Sequence, residues 1–424
     1  MLNIQKRLDN SFFALLSLPA TAMGFALSVQ ISALSWILST KYGLDIHEVG
    51  WVWLAGPVAG LLAQPIVGLV SDKVWFWNGR RRPFILIGGT IAALMLLCLP
   101  NLDVIANVLH ITNMTIVALM VALTLDLAIN VSFNPTRTII ADLTPEGEKR
   151  TNGFTWMQTV SGFFGVVAYA IGAVWGNYFL IYFGVFLVLA FSLIPTFFIE
   201  EPRHLTPDKN LNPEADEEEY KTEMGQLMPI FIAHGFTWLG VQTMFVFIFA
   251  FIDQKMNLDS DTVGQTIAIA FLIMNLIGFI FPALVLRPIA NKIGVVKTHR
   301  ICIASMALAY GFIAFFGNTQ LSLYIAMAFV GIGWAATVSL PFAIFSEKVS
   351  KSQMGFYMGI FNMSVVIPQI IVSGVFGLII GAAGDKNIIF IISAVSLAVS
   401  AVLWYFVKEN KKVELGDSVS GGGH

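Results

Sequence analysis

Charged residues are scarce in this chain. Asp, Glu, Lys and Arg make up 12% of its 424 residues, whereas hydrophobic residues make up 57%. Soluble domains carry about 25% charged residues, so this composition excludes an ordinary soluble globular protein. It indicates a membrane protein, and we expect membrane lipid around it and no nucleic-acid partner.

Cysteine is nearly absent, and the motifs of several enzyme classes are missing. Cys98 and Cys302 both lie in apolar runs, so neither a disulfide framework nor a thiolate metal site is predicted. The chain has no Walker-type phosphate loop, no HExxH helix and no Cys/His metal constellation. An ATP-driven pump and a metalloenzyme are therefore unsupported, and no nucleophile–base arrangement suggests a membrane-embedded enzyme. We predict no metal, no cofactor and no enzymatic activity.

Long hydrophobic runs are abundant. A membrane-spanning helix needs about 20 mostly apolar residues. Runs of this kind occupy 12–39, 49–71, 82–100, 114–143, 152–175, 178–199, 228–253, 262–287, 299–316, 319–345, 353–381 and 387–407. The sequence therefore predicts an all-α polytopic membrane protein with twelve transmembrane helices.

The distribution of Lys and Arg predicts the orientation of these spans. The loops on one side hold only Lys41, Lys255 and Lys386, and Arg137 lies inside a span. The other basic residues of the 24 in the chain fall on the opposite side, counting both tails. Because basic loops stay in the cytoplasm, both termini are predicted to be cytoplasmic in a plasma membrane, the inner membrane of a bacterium.

A polar segment divides the spans into two groups of six. Residues 200–227 contain three prolines and the acidic run DEEE, which is typical of a solvated linker. The domains are therefore predicted as a bundle at 1–199, the linker, a bundle at 228–410 and a tail at 411–424 that includes an added linker-like sequence. The stretch GLVSDKVWFWNGRRRPF has a weak echo in LRPIANKIGVVKTHR, as expected of two repeated six-helix bundles.

The span at 114–143 contains an aspartate and an arginine. Asp126, Asn130 and Arg137 lie within about 40° of one another on a helix that turns 100° per residue. Ionisable groups deep in a span are costly and mark function by default, so Asp126 is predicted to carry a coupling proton. Arg137 lies about 16 Å farther along a straight helix, too far for direct pairing. It is either a functional cation or a snorkelling anchor near the span end.

The loop after the second span brings opposite charges together. Asp72 ends this span, and Arg80, Arg81 and Arg82 begin the next one. Charge-assisted hydrogen bonds between these groups would hold a cytoplasmic gate closed. The alternative is the ordinary clustering of basic residues in cytoplasmic loops. Asp142 is predicted as a structural partner for the loop arginines.

Buried amides and aromatic residues are candidates for substrate contacts. A sugar offers hydroxyl groups for hydrogen bonds and an apolar ring face for stacking. The candidates are Asn130, Gln158, Trp238, Gln242, Asn275, Asn362 and Gln369. The alternative for each amide is a hydrogen bond between helices, and Trp53 is an interfacial anchor or a platform for substrate.

Several motifs resemble a known family. Gly68, Asp72 and the Gly-Arg-Arg that begins at Gly79 resemble the loop signature of the major facilitator superfamily, with a longer spacing after the aspartate. The longer spacing resembles that of the sucrose/proton symporters of plants and their relatives. Four further segments are similar to segments of the same symporters: WLAGPVAGLLAQPIVG, LDLAINVSFNPTRTIIADL, FTWLG and GIFNMSVVIPQIIVS. The resemblance covers both bundles. It implies that Arg137 corresponds to an arginine needed for transport.

This resemblance implies a secondary transporter that imports a sucrose- or maltose-like sugar with a proton by alternating access. The expected partners are the sugar, the proton and lipid, and a monomer suffices. A sodium-coupled sugar symporter and a drug or organic-ion antiporter of the same superfamily remain open. A membrane sensor built on a transporter fold is a third alternative, although the chain shows no large signalling domain.

Overall fold

The computed structural model describes residues 3–144, 148–202, 224–346, 348 and 354–408, and within these ranges the chain is helical with no β-strand. The helices of the first half are α1 Asn3–Arg7, α2 Asn10–Thr40, α3 Ile46–Trp53, α4 Ala55–Lys73, α5 Arg82–Cys98, α6 Leu102–Leu109, α7 Met114–Leu143 and α8 Glu148–Phe198. Those of the second half are α9 Met224–Met256, α10 Ser260–Phe281, α11 Arg287–Ile293, α12 Val295–Phe316, α13 Gln320–Ser346, α14 Met354–Ile371, α15 Gly377–Ala382 and α16 Asn387–Leu403. Residues 203–223 of the predicted linker and the tail from 409 onward lie outside the described residues.

The predicted spans fall on helices, with different boundaries. Ten helical stretches among the described residues are long and apolar enough to cross a membrane. One of them belongs to α8, whose 51 residues would extend about 76 Å as a straight helix, well over twice the thickness of a bilayer core. Gly176 interrupts α8 with φ 82° and ψ 168°, a conformation that glycine adopts readily because it has no Cβ. The total of twelve crossings stays a prediction.

Side-chain caps fix where several helices begin. The carboxylate of Asp9 accepts a hydrogen bond from the first turn of α2, and the side chain of Asn113 does the same for α7. Asp259 caps α10 in this way. Asp45 and Glu48 form a reciprocal capping box at α3. These caps satisfy amide groups that a helix start leaves without partners.

The two halves pack against each other along α8 and α10. In the first half α8 also packs on α2 and α5, and in the second half α10 also packs on α13. Further contacts between the halves join α4 to α14, and join α3 to α15 and to the π-helical turn Val372–Phe376. The polar residues near these lines of contact are therefore the ones that can respond to relative movement of the halves.

The helices have two distinct ends, which we call the arginine end (Arg80–Arg82) and the lysine end (Lys41, Lys255 and Lys386). The helix α5 starts at the arginine end, and after its last turn the Pro100 carbonyl accepts a hydrogen bond from Lys41. Lys255 pairs with Asp385 at 2.7 Å. A cavity of about 660 Å³ opens at the lysine end, lined by residues of both halves that include Asp45, His47, Asp253 and Lys386. Thr40, Gln254 and Lys386 line this cavity, so all three lysines lie at the same end of the helices.

Candidate functional site

The Asp126 carboxylate is enclosed in the middle of α7. Its residue is 4% exposed, and Oδ2 accepts a hydrogen bond of 3.1 Å from Nε2 of Gln30 on α2. A Cβ at Gly56 of α4 would lie 3.5 Å from the same oxygen, so α4 passes in contact distance of the carboxylate. Within the described residues no cationic side chain forms an ion pair with Asp126. An ionised carboxylate buried this way lacks the counter-charge that normally offsets desolvation.

Asn130 and Arg137 continue the same helix but contact other groups. Nδ2 of Asn130 donates to the backbone carbonyl of Asp126 at 2.8 Å, one turn earlier. The Arg137 guanidinium lies 4.0 Å from the ring centroid of Phe133, a cation–π contact within α7. Pro135 does not interrupt the helix. The sequence therefore places these residues on one helix correctly, and the guanidinium binds an aromatic face near the end of the span.

An aromatic cluster occupies the second half near the middle of α9. Nε1 of Trp238 donates to Nε2 of His234 at 3.0 Å. His234 stacks on Phe361 of α14 at 4.9 Å with an angle of 13° between the rings. Trp238 meets Trp334 of α13 edge-on at 6.2 Å, and Trp334 in turn lies 5.4 Å from Phe245. The rings of Trp238 and Trp334 are partly exposed, whereas His234 is 1% exposed.

The other predicted substrate residues have varied surroundings. Gln242 is buried, Gln369 is half-buried, and Gln158 and Asn362 are exposed. Nδ2 of Asn275 donates to the carbonyl of Phe271 in its own helix at 2.9 Å. Burial and hydrogen-bond partners alone therefore do not identify which of these amides would contact a substrate.

Tyr169 joins the two halves at the centre of the molecule. This buried side chain makes polar contacts with Ser28 of α2 and with Asn275 of α10. Its ring lies 5.6 Å from that of Phe271, which also belongs to α10. Since α2 carries Gln30 only two residues after Ser28, the partner of Asp126 lies on a helix that contacts the second half directly.

Toward the lysine end, three contacts hold the halves together. Ser35 Oγ donates to the Val246 carbonyl at 2.9 Å and accepts from Trp53 Nε1 at 2.8 Å. Trp36 Nε1 donates to the carbonyl of Ser260 at 2.6 Å. Trp53 is only 8% exposed, so the interfacial-anchor alternative is wrong for it. Its N–H donates to Ser35 and so joins α3 to α2 within the first half.

The third of these contacts is a close approach of backbones. A Cβ at Gly50 of α3 would lie 2.7 Å from the carbonyl oxygen of Ser373 and 3.5 Å from the Cα of Gly377. No larger residue fits there without separating α3 from the turn Val372–Phe376, so the halves meet at this end through bare backbone.

The arginine end is organised by a carboxylate that the sequence analysis assigned to the linker. Glu201 accepts hydrogen bonds from the backbone amides of Arg80, Arg81 and Arg82 at 2.7–3.1 Å. A Cβ at Gly79 would lie 2.8 Å from Oε1, so a larger residue there would displace the Glu201 carboxylate. Glu200 and Glu201 thus contact the first bundle, and the predicted boundary at residue 200 stays a prediction.

The side chains of the loop arginines reach other parts of the first half. Nε of Arg81 lies 3.0 Å from Oδ2 of Asp142, and its NH1 donates to Ser71 Oγ at 2.7 Å. Nε of Arg82 donates to the Thr196 carbonyl at 2.7 Å. The surroundings of Gly68 and the side chain of Asp72, two residues of the predicted gate, lie outside what the structure describes. The described contacts thus tie α5, α7 and α8 together at this end.

Three site residues escaped the sequence analysis. Gln30 is an amide in the middle of an apolar run, a signal as strong as that of the amides selected. Gly56 gave no signal, because its role depends on a helix that only the tertiary structure brings beside Asp126. Glu201 lies in a charged segment, and nothing in the sequence distinguishes it from the other acidic residues there.

Comparisons with known proteins agree with this arrangement. The model of the Major Facilitator Superfamily matches residues 16–373. The sucrose transport protein SUC4 of Arabidopsis thaliana is 25% identical over 416 residues, covering 84% of this chain and 81% of SUC4. The general alpha-glucoside permease of Schizosaccharomyces pombe is 29% identical over 174 residues, 37% of this chain and 31% of the permease. Among solved structures, the nucleoside transporter NupG matches with a TM-score of 0.70 at 16% identity, covering 94% of this chain and 98% of NupG. Since the family model matches most of its length, the chain belongs to the Major Facilitator Superfamily and is an integral membrane transporter rather than an enzyme.

Proposed function

We propose that this transporter imports a disaccharide or glucoside, of the sucrose or maltose type, together with a proton. The names of its relatives, a sucrose transport protein and an alpha-glucoside permease, support the substrate class. The surroundings of Asp126 support the coupling. Trp238, Trp334 and the buried amides supply the ring faces and hydrogen-bonding groups that a sugar requires.

The observation that carries the proposal is the enclosed carboxylate of Asp126. Its neighbours are an amide donor and a glycine, and among the described residues no cation compensates its charge. Binding a proton removes the cost of burying that charge, so the closed arrangement favours a loaded carrier. Contact with water on the other side of the membrane then allows the proton to leave, as alternating access requires.

The charges of the loops support an orientation in the membrane, and this orientation together with the membrane potential gives the direction of transport. The arginine end is proposed to face the cytoplasm, with both termini, in a bacterial inner membrane. The halves are in contact at the lysine end through Ser35, Trp36 and Gly50. A membrane potential of 100 mV favours inward movement of one positive charge by about 2.3 kcal/mol. Proton flow toward the arginine end would thus drive sugar accumulation, and a monomer suffices for this cycle.

Uptake into proteoliposomes tests the proposal. Labelled sucrose and maltose are supplied with an imposed pH gradient to wild type, Asp126→Asn and the control Asp103→Asn, an exposed residue near Lys41. We expect wild type and the control to concentrate a sugar, and Asp126→Asn only to exchange or equilibrate it. Concentration by Asp126→Asn would remove this residue from coupling. If a sodium gradient alone drives accumulation, sodium and not the proton is the coupling ion. If neither sugar is transported, the proposed substrate class is wrong.

A further inference from the structure

We infer that His234 is a positioning residue for the sugar site, which it serves by holding the Trp238 indole through an N–H···N hydrogen bond. The inference rests on the proposed sugar transport. His234 and Trp238 lie one turn apart on α9, and the ring nitrogens are 3.0 Å apart. The two ring planes are nearly perpendicular at 85° and their centroids lie 6.3 Å apart, so the rings do not stack and the contact between them is the hydrogen bond.

This bond determines which contacts Trp238 can offer. Indole has one hydrogen-bond donor and no acceptor, and the donor is occupied by His234. Trp238 can therefore serve a sugar through its ring face but not through an N–H bond to a hydroxyl group. Its edge is also fixed by Trp334, whose ring packs where a Cβ of Gly278 would otherwise lie. The histidine thus helps to select the orientation in which the ring face is available.

The two nitrogens of the His234 ring have different surroundings. Because Nε2 accepts from Trp238, the proton of the neutral ring is on Nδ1. That nitrogen is buried and has no hydrogen-bond partner among the described residues. Phenylalanine would keep the stack on Phe361 and avoid the unpaired N–H, but it would leave the indole N–H of Trp238 without its acceptor. Because His299 also has buried ring nitrogens without a hydrogen-bond partner in the described part of the chain, the hydrogen bond to Trp238 is what distinguishes His234.

His234 also links two elements with predicted sugar contacts. Its ring stacks on Phe361 of α14, and Asn362, an exposed amide, is the next residue. A change at His234 therefore acts on α9 through the indole and on α14 through the ring stack. This placement lets one buried side chain set the relative position of groups from two helices.

Sugar uptake by four variants tests the inference. His234→Phe keeps the ring and removes the acceptor, whereas His234→Gln places an oxygen near the position of Nε2. We expect His234→Phe to raise the KM for sugar about threefold to tenfold, the effect of one neutral hydrogen bond, with a maximal rate within about twofold of wild type. His234→Gln should restore KM to within about twofold. Adding His234→Phe to Trp238→Phe should have no further effect, since the partner is already gone.

The matched control is His299→Phe, the same substitution at another buried histidine of the second half, where the ring contacts Trp404 instead. Its KM should remain within about twofold of wild type. An unchanged KM in His234→Phe, failure of glutamine to restore it, or effects of His234→Phe and Trp238→Phe that multiply would each overturn the inference.

A measurement without transport separates the two proposals. The chain has 10 tryptophans, so ¹⁵N labelling gives up to ten indole N–H resonances, and Trp238→Phe identifies one of them. We expect His234→Phe to move that resonance upfield and His234→Gln to return it. No movement would overturn the inference whatever the sugar assays give. If the resonance moves as expected but wild type transports no sugar, the proposed function fails, and the role in sugar binding fails with it.

Discussion

The substitution Gly50→Ala tests how the two halves close at the lysine end. The added Cβ would lie 2.7 Å from the Ser373 carbonyl oxygen, whereas ordinary contact begins at 3.4 Å. The backbones must therefore move apart by about 0.7 Å, and a backbone carbonyl inside a helical turn has no rotamer by which to withdraw. Overpacking of this kind costs about 1–3 kcal/mol.

That cost falls only on the conformation in which α3 touches the turn Val372–Phe376. A bias of about 1–3 kcal/mol shifts a two-state equilibrium about 5- to 150-fold, here toward the state that is open at the lysine end. The matched control is Gly374→Ala on the same turn, because a Cβ there meets nothing within 4 Å. Both substitutions raise helix propensity alike, so the difference between them isolates the contact.

Chemical labelling provides the assay and does not depend on the sugar. Val246→Cys is introduced after removal of Cys98 and Cys302. Val246 is 1% exposed, and its carbonyl accepts the bond from Ser35, so opening of this end exposes it. A membrane-impermeant maleimide should label the Val246→Cys thiol at least about fivefold faster with Gly50→Ala. Equal rates in Gly50→Ala and the parent, or in Gly50→Ala and Gly374→Ala, would refute the reasoning.

The remaining predictions concern the two ends of the molecule. Glu201→Gln removes the carboxylate charge that accepts hydrogen bonds from the amides of Arg80–Arg82. Trypsin should therefore cleave this loop about threefold to tenfold faster. The control Glu48→Gln should leave the cleavage rate unchanged. The hydroxyl of Thr115 and the amide of Asp45 lower the pKa of Glu48 from its ordinary 4.5, so their contribution is complete above pH 4.5 and is lost as the pH falls further. Thr115→Val should therefore lower the Tm by about 2 °C at pH 6. The difference from wild type should shrink at pH 3.5, and an equal difference at both pH values would contradict this assignment.

The helical, membrane-spanning character of the chain could be predicted from sequence because it depends on local hydropathy. Apolar runs longer than a bilayer is thick must form helices to satisfy their backbone, whatever surrounds them. Asp126 could be found for the same reason, since an ionisable group inside such a run stands out against its neighbours. The basic loops likewise identified Arg80–Arg82 and the three lysines as opposite ends.

Helix boundaries and the partners of each polar side chain could not be predicted from the sequence to the same extent. Leu54, Gly176 and the turn Val372–Phe376 interrupt or modify helices inside runs that look uniform in composition. Trp53 looked like an interfacial residue because its position in the sequence is the end of a run. Its burial against Ser35 depends on the packing of α3 on α2, which no local pattern encodes.

By itself, the sequence determined that this protein lies in a membrane, that its chain is helical and that Asp126 is its most conspicuous buried charge. These properties follow from the transfer of individual residues into lipid, a cost that each residue bears separately. Only the tertiary structure placed Gln30 and Gly56 around Asp126, His234 against Phe361, and Glu201 against the amides of Arg80–Arg82. Such pairings join residues distant in the chain or use backbone groups, and they depend on how whole helices pack rather than on the composition of any one of them.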